Sequence, residues 1–438
     1  MNTQKTQNRS HKVYLVDGAR TPFLRAEGKP GPFSASDLAV QCGRPLLNRQ
    51  QFDPQDIDEV IVGCVAPSHD EANIARVISL RLGCGHATPA WTVQRNCASG
   101  MQAVDSAFQS ISSGKADLVL AGGTEAMSHY PLVFSQAMTI WFANWSRARS
   151  WQNRGRLIAQ LRPAHFQPVI SLLRGLTDQT IGMSMGQTAE RLAWLFDVSR
   201  DEMDAFALAS HQCLTRASES GLLREIEPMI SAQGELFDFD NGVRPDSSVE
   251  KLSKLRPVFD YPVGKVTAGN SAQITDGAAL LLLASEQAVK EHHLAIAGEI
   301  IDCQWSALDP AEMGLGPVHA MATLLLRNDL KTADIDYWEI NEAFAAQVIA
   351  CLKAWGDPEY MASHLGIEKP FEPIDAARLN IDGGSISMGH PVGASGARLI
   401  LHLLRTLEQT NSRRGIASLC IGGGQGGAML IARNREEL

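Results

Sequence analysis

Short apolar runs ending in glycine alternate along this chain with segments whose apolar residues recur at helical spacing. The run in ADLVLAGGTEAM, from Ala116, has the length of a buried strand. NCASGMQAVDSAFQSI, from Asn96, places Met101, Val104, Phe108 and Ile111 on one face of a helix. The same order of patterns then returns. HKVYLVDGARTP, from His11, reads as a strand and a turn, and so does GEIIDCQWSALDP from Gly298. DIDEVIVGCVAP, from Asp56, parallels DIDYWEINEAFA from Asp334. The helical segment from Asn96 parallels VGASGARLILHLL from Val392, and the run from Ala116 parallels IASLCIGGGQGGAML from Ile416. The tripeptide Ala-Ser-Gly opens the helix in both copies, at 98–100 and at 394–396.

Four matches in one order predict two related α/β halves in which strands alternate with helices. The alternative is two unrelated α/β domains that share only generic strand-turn-helix punctuation. A region from roughly 128 to 261 has no counterpart in the second half.

With 438 residues the chain has material for two or three domains and a large buried core. Its net charge of −9 argues against nucleic acid as a partner. That charge is uneven. Residues 126–177 contain six arginines and no acid, so they carry +6 and the rest, by difference, −15. Inside that segment TIWFANWSRARSWQNRGR, residues 139–156, holds three of the eight tryptophans. The eight cysteines are scattered and none forms a CxxC pair, so no metal site is expected. The opening MNTQKTQNRSHK is polar, without the apolar stretch of a secretory leader. AALLLLA, at 278–284, is too short to span a bilayer. A cytoplasmic chain with reduced thiols is expected.

Candidate chemistry collects where predicted strands end and helices begin, the usual place for a site in an α/β protein. Cys97 directly precedes Ala-Ser-Gly. Unpaired N–H groups and the positive end of a helix dipole favour a thiolate there, although most free cysteines are simply small core residues. His390, in SISMGHPVGASG, occupies the same loop of its half. If the halves pack pseudo-symmetrically, cysteine and histidine approach as an activated nucleophile and its base. Cys420 opens CIGGGQGG, whose glycines let backbone N–H groups approach a ligand closely, as an oxyanion site requires. Asn341, in EINEAFAAQ, lies at another strand end.

NCASG, NEAFAAQ, GHPVGASGAR and CIGGGQGGAM, in this order, resemble the thiolases. The resemblance runs along nearly the whole chain and takes in ARTPF at 19–23, MGQTAE at 185–190 and TAGNSAQITDGAA at 267–279. It implies an α/β thiolase fold, two duplicated halves forming a five-layered α-β-α-β-α core. The first half would comprise 11–127 and 262–296, the second 297–438, with a loop domain at 128–261. It implies chemistry on acyl-coenzyme A thioesters with coenzyme A as co-substrate and no permanently bound cofactor. Cys97 then resembles the nucleophile that is acylated, and His390 the base that takes its proton and helps hold the enolate oxygen. Cys420 resembles the second acid/base, and Asn341 the residue that positions a water in one oxyanion hole. The N–H groups of Cys97 and Gly422 would form the other hole. Met185, Ala268, Ser271, Ala343 and Phe344 are implied to contact coenzyme A.

Ser184 stands where small biosynthetic thiolases often have histidine, and their pantetheine-contacting serine falls on Ala272, one residue after Ser271. The stretch 352–380 is longer than in small thiolases. With the enlarged region before MGQTAE, it resembles the β subunit of the fatty-acid-oxidation trifunctional complex and its bacterial relatives. The resemblance therefore implies thiolysis of medium- to long-chain 3-ketoacyl-CoA, a homodimer or higher oligomer, and a hydratase/dehydrogenase α subunit as candidate partner. The alternatives are a biosynthetic acetoacetyl-CoA thiolase, a condensing 3-ketoacyl synthase and a thiolase-like scaffold subunit. At helical spacing over 141–158, Trp141, Trp145, Ala148 and Trp151 fall on one arc, with arginines on both flanks. A second amphipathic run, Val169 to Leu176, follows. This segment is expected to touch something outside the core: an anionic membrane surface, a partner subunit or the acyl chain. The bland alternative packs its tryptophans on the same subunit.

Overall fold

The computed structural model describes residues 11–433. The polar opening from which the lack of a leader is expected therefore lies outside the described residues, except for His11 and Lys12. The elements that frame the site are the strands β1 (Val13–Arg20), β2 (Glu59–Gly63), β3 (Ala90–Val93), β4 (Leu118–Ala126), β5 (Thr275–Ser285), β6 (Gly298–Ala307), β7 (Tyr337–Ile340), β8 (Arg414–Ile421) and β9 (Gln425–Ala432). The helices packed on them are α1 (Ala35–Asn48), α2 (Ile74–Leu82) and α3 (Ser99–Ser112) in the first half, then α8 (Gly316–Arg327), α9 (Ala345–Gly356) and α10 (Val392–Gln409) in the second. Between them come α4 (Gln136–Arg147), α5 (Trp151–Ala159), α6 (Met185–Leu195) and α7 (Arg200–Glu219).

The strands form one ten-stranded sheet in the order β7-β8-β9-β6-β1-β5-β4-β2-β3, with the short strand Leu24–Arg25 also on β5. Read outward from the junction of β6 and β1, the two sides repeat each other. β6 answers β1, β9 answers β5, β8 answers β4 and β7 answers β2. The pairings match too: β2 and β4 are parallel, as are β7 and β8, while β4–β5 and β8–β9 are antiparallel. In the second half β8 turns straight into β9 through Gly422–Gly424. In the first half the equivalent connection, from β4 to β5, contains residues 127–274.

Side-chain alternation along the strands defines the layers. On β5, Leu280, Leu282 and Ala284 pack with α1 and α2, whereas Ala279, Leu281 and Leu283 pack with α3 and α10. On β8 and β9, Ile416, Ala428 and Leu430 face α8 and α9, whereas Ala417, Leu419, Met429 and Ile431 face the same central helices. The order is helix, one half of the sheet, helix, the other half of the sheet, helix, the halves joined where Tyr14 and Leu15 meet Glu299 and Gly298. α3 and α10 form the central layer, and α10 is buried along nearly its whole length.

The two Ala-Ser-Gly motifs meet in that layer. A Cβ on Gly100 would lie 2.8 Å from the Gly393 carbonyl oxygen, and one on Gly396 would lie 2.5 Å from the Met101 nitrogen. No side chain fits at either place. The repeated glycine lets the N-terminal ends of α3 and α10 press backbone against backbone, which brings the loops carrying Cys97 and His390 together.

The Trp/Arg segment departs from its expected single helix. α4 ends at Ala148, whose backbone is extended (ψ 106°), and Ser150 caps a new helix by accepting from the Asn153 N–H at 3.2 Å. The break destroys the arc. Trp141 and Trp145 stack on each other at 5.1 Å, and the Trp141 indole donates to the Leu157 carbonyl across the hairpin. Arg154 folds back to the Ala148 carbonyl and lies over the Trp145 ring. Trp151 is thrown outward and is 81% exposed. The second expected run also splits. Val169–Ile170 pairs as a short strand with Leu132–Val133, and a helical turn, Ser171–Gly175, follows.

Candidate active site

Cys97 sits in the tight connection between β3 and α3. Asn96 before it takes a left-handed backbone (φ 43°), tolerable for asparagine. The Ser99 hydroxyl closes the turn by donating to the Asn96 carbonyl at 2.7 Å and accepting from the Arg95 N–H at 2.9 Å. The thiol is part-exposed and opens onto a cavity of about 300 Å³. Gly422 and Met185 form part of its wall. Asn96 locks that wall by donating to the Gly422 carbonyl at 2.8 Å. A Cβ at Gly422 would fall 3.1 Å from the Met185 sulfur.

The electrostatics of Cys97 correct the sequence-based expectation of a lowered pKa. Burial pushes the thiol above its ordinary range, and hydrogen bonds from the N–H groups of Gly422 and of Cys97 itself offset only part of this. The helix end does not outweigh desolvation. At neutral pH the resting group is a thiol, and it needs a base.

His390 lies in the loop ahead of α10, where Gly393 meets Gly100 of α3. It is 9% exposed, and burial together with the nearby Arg398 charge pushes it down to about 3, so the ring is neutral. Its Nδ1 lies 2.6 Å from Ser395 Oγ and its Nε2 lies 3.4 Å from the Asn341 side-chain nitrogen. Asn341, at the end of β7, is wholly buried and accepts from Ser385 Oγ at 2.6 Å. Cys420, at the end of β8, is buried against Met313 and Ala343, with Met185 and Phe344 beside them. Burial first, then the neighbouring Cys97, pushes its thiol well above the usual range. It too rests protonated.

Of the five expected coenzyme A contacts, Met185 alone lines the Cys97 cavity. Ser271, Ala343 and Phe344 are stitched together nearby. Ser271 bridges to Phe344, and the Ala272 N–H donates to the Ala343 carbonyl at 2.9 Å. The Ser271 hydroxyl is committed to the Thr267 carbonyl at 2.7 Å. Ala268 is exposed.

One acid behind the cavity wall, bonded to the lining residue Tyr130, escaped the sequence reading. Glu125, in the last turnless stretch of β4, is buried, accepts from the N–H groups of Val65 and Ala66 and from the Tyr130 hydroxyl, and is pushed up by burial to about 7. The signal was available: it is the single acid in an otherwise apolar, glycine-rich strand. Leu172 and Leu176, from the amphipathic run expected to touch a membrane, a partner or the acyl chain, line the cavity together with Thr177 to Thr180. The periodicity marked the two leucines, whereas Thr177 to Thr180 follow the run with no pattern of their own.

Fold and site together define an acyltransferase built of two α/β halves. The chain belongs to the thiolase family: the family model described as Thiolase, N-terminal domain matches residues 13–287, and that described as Thiolase, C-terminal domain matches residues 294–433. It is 39% identical over 430 residues to a Beta-ketoadipyl-CoA thiolase of Pseudomonas knackmussii, covering 97% of this chain and 100% of that one. It is 35% identical over 426 residues to a 3-ketoacyl-CoA thiolase of Pectobacterium atrosepticum, covering 97% of each. The crystal structure of human mitochondrial 3-ketoacyl-CoA thiolase in complex with CoA superposes with a TM-score of 0.82 at 34% identity, covering 97% of this chain and 99% of that chain.

Proposed function

We propose that this thiolase cleaves 3-ketoacyl-CoA with coenzyme A, in the degradative direction, through an acyl group carried on Cys97. The carrying observation is the Cys97 thiol opening on an apolar cavity with the Gly422 N–H against its sulfur, at the junction where Gly100 of α3 meets Gly393 at the start of α10. In the first half-reaction His390 takes the Cys97 proton as the sulfur attacks the C3 ketone. The C2–C3 bond breaks, its electrons pass to the acetyl-CoA enolate, and Cys420 supplies the proton to C2. In the second, Cys420 takes the proton of the incoming coenzyme A thiol, whose sulfur attacks the thioester. Cys97 leaves and recovers its proton from His390. Both steps place negative charge on oxygen. The N–H groups of Cys97 and Gly422 suit one such oxygen, and Asn341 with His390 the other. Met185, Ala268, Ser271, Ala343 and Phe344 mark the approach of coenzyme A.

The cavity wall favours neutral, medium- to long-chain acyl groups. Met127, Leu172, Leu176 and Val392 supply apolar surface, and the lining contains no lysine or arginine. Its one acid, Asp178, is held ionised by bonds from Thr180. A chain ending in a carboxylate, such as a ketoadipyl group, would meet no cation and one negative charge. A water takes about 30 Å³, so an acetyl group fills only a fraction of about 300 Å³. Steady-state thiolysis of a series of 3-ketoacyl-CoAs tests this. The expected result is a kcat/KM for a six- to ten-carbon neutral chain at least roughly tenfold above that for the carboxylated analogue. The reverse ranking would overturn the substrate assignment.

The α4–α5 hairpin has a second part in this reading: it rests on an anionic bilayer. Phe134, Trp151 and Phe166 are each more than 60% exposed, with Leu132, Ile140, Ile158 and Leu173 around them. None of the six arginines of 126–177 forms an ion pair among the described residues. Exposed rings on a segment whose arginines lack acidic partners match a headgroup region. A protein partner such as a hydratase/dehydrogenase subunit is the competing occupant. No helix among the described residues is long and apolar enough to cross a membrane, so contact would be peripheral.

A further inference from the structure

We propose that Arg398, which lies outside the reacting groups, sets the tautomer of His390 through Ser385 and Asn341, leaving the lone pair on Nε2. This rests on the reading of His390 as the base, and concerns what prepares it. Arg398 is on α10, 1% exposed, and its Nη1 is gripped by Glu339 at 3.1 Å. Its Nη2 donates to Ser385 Oγ at 3.2 Å. A guanidinium has donors and no acceptor, so the direction of that bond cannot reverse. Ser385 has one hydroxyl hydrogen, and it goes to Asn341 Oδ1 at 2.6 Å. The other end of the Asn341 side chain is therefore its NH2, and this end faces His390 Nε2 at 3.4 Å. Nε2 must accept.

The opposite side of the ring is arranged for the same tautomer. Ser395 Oγ donates its single hydrogen to the Pro391 carbonyl at 3.0 Å, and a carbonyl can only accept. Ser395 Oγ therefore accepts from His390 Nδ1 at 2.6 Å, and Nδ1 carries the proton. The chain is anchored by a donor-only group at one end and an acceptor-only group at the other. All five side chains are buried. Turning the Asn341 amide over would put its oxygen against the lone pair on Nε2 and deprive Ser385 of its acceptor. To recover, the ring would have to protonate Nε2, and Ser395 would have to abandon Pro391. The network also limits the imidazolium. Once Nε2 is protonated it meets the Asn341 NH2 donor to donor, which favours return of the proton.

Arg398 is thus a positioning residue, and the ring nitrogens report on it directly. Protein labelled with 15N-histidine, with His390 assigned by its loss in His390→Gln, should show Nε2 as the unprotonated nitrogen and Nδ1 as the protonated one in the absence of substrate. Arg398→Lys keeps a donor-only cation and should keep that signature. Ser385→Ala, a small change that leaves packing nearly intact, frees the Asn341 amide. It should move the two nitrogen signals toward each other and slow Cys97 acylation by about 10²-fold, short of the roughly 10⁴-fold that a wrong histidine tautomer costs a serine protease. Arg398→Met should do the same if it folds. A wild-type Nε2–H would overturn the proposal, and so would an unchanged signature in folded Ser385→Ala. Neither measurement uses substrate, so they can fail while the acyl-enzyme is still found, and the acyl-enzyme can fail while they hold.

Discussion

Burial keeps both Cys97 and His390 neutral, and this shapes how the thiol should respond to pH. His390 in the folded chain sits at about 3 instead of the ordinary ~6.5. The unfolded chain therefore binds the extra proton between those values, and the residue's contribution to stability falls as pH drops through that window. In the folded enzyme the ring stays a base throughout the neutral range. Iodoacetamide labelling of Cys97 followed from pH 5 to 8 should be slower at every pH in His390→Asn, with no ionisation step removed. A step near 7 common to both proteins would belong to Glu125, whose carboxyl is pushed up to about 7 beside the thiol. A thiolate–imidazolium pair would instead lose its acid-side step in the variant, contradicting the neutral thiol and imidazole. Both residues stood out as candidates in the sequence because each precedes an Ala-Ser-Gly helix start, although the structure puts His390 between two helices and not at a strand end. Their ionisation was not legible, because desolvation depends on what the other half of the chain lays over them.

Elements explain both what the pattern foretold and what it missed. The repeat was legible because each half builds the same strands and central helix. The break at Ala148 was not, since helical spacing alone cannot see that Arg154 and Trp145 pack better on a hairpin than on a rod. Two glycines separate close approach from mere flexibility. A Gly396→Ala side chain would lie 2.5 Å from the Met101 nitrogen in the central layer. It should destabilise by about 1–3 kcal/mol as α10 is pushed from α3, and lower thiolysis as well. Gly155→Ala, inside α5 with nothing within 4 Å, should instead stabilise by roughly 0.5–1 kcal/mol and leave thiolysis unchanged. Thermal melts of the two variants check this. Equal melting temperatures would mean that the central contact is not tight.

For the whole molecule, +6 on the 126–177 segment of a chain otherwise at −15 predicts a polarised attachment. Flotation with vesicles containing anionic lipid should carry wild type at low salt, less of it at high salt, and little with neutral vesicles. Trp151→Ala with Phe134→Ala and Phe166→Ala should weaken flotation while leaving thiolysis of short soluble substrates intact. Trp141 and Trp145 are poor targets because they hold the hairpin together. Wild type that ignores anionic vesicles would remove the bilayer, and salt-stable co-purification with a hydratase/dehydrogenase would assign the hairpin to a protein instead.

The central claim is that a ketone-bearing acyl-CoA is cut on Cys97. Incubation with a medium-chain 3-ketoacyl-CoA without free coenzyme A, followed by peptide mapping by mass spectrometry, tests it most directly. The account predicts an acyl adduct two carbons shorter than the substrate, on Cys97 and absent in Cys97→Ala, discharged when coenzyme A is added, with turnover of the variant down by at least roughly three orders of magnitude. An adduct on Cys420 alone, or adduct-free Cys97 in an enzyme that still turns over, would contradict it.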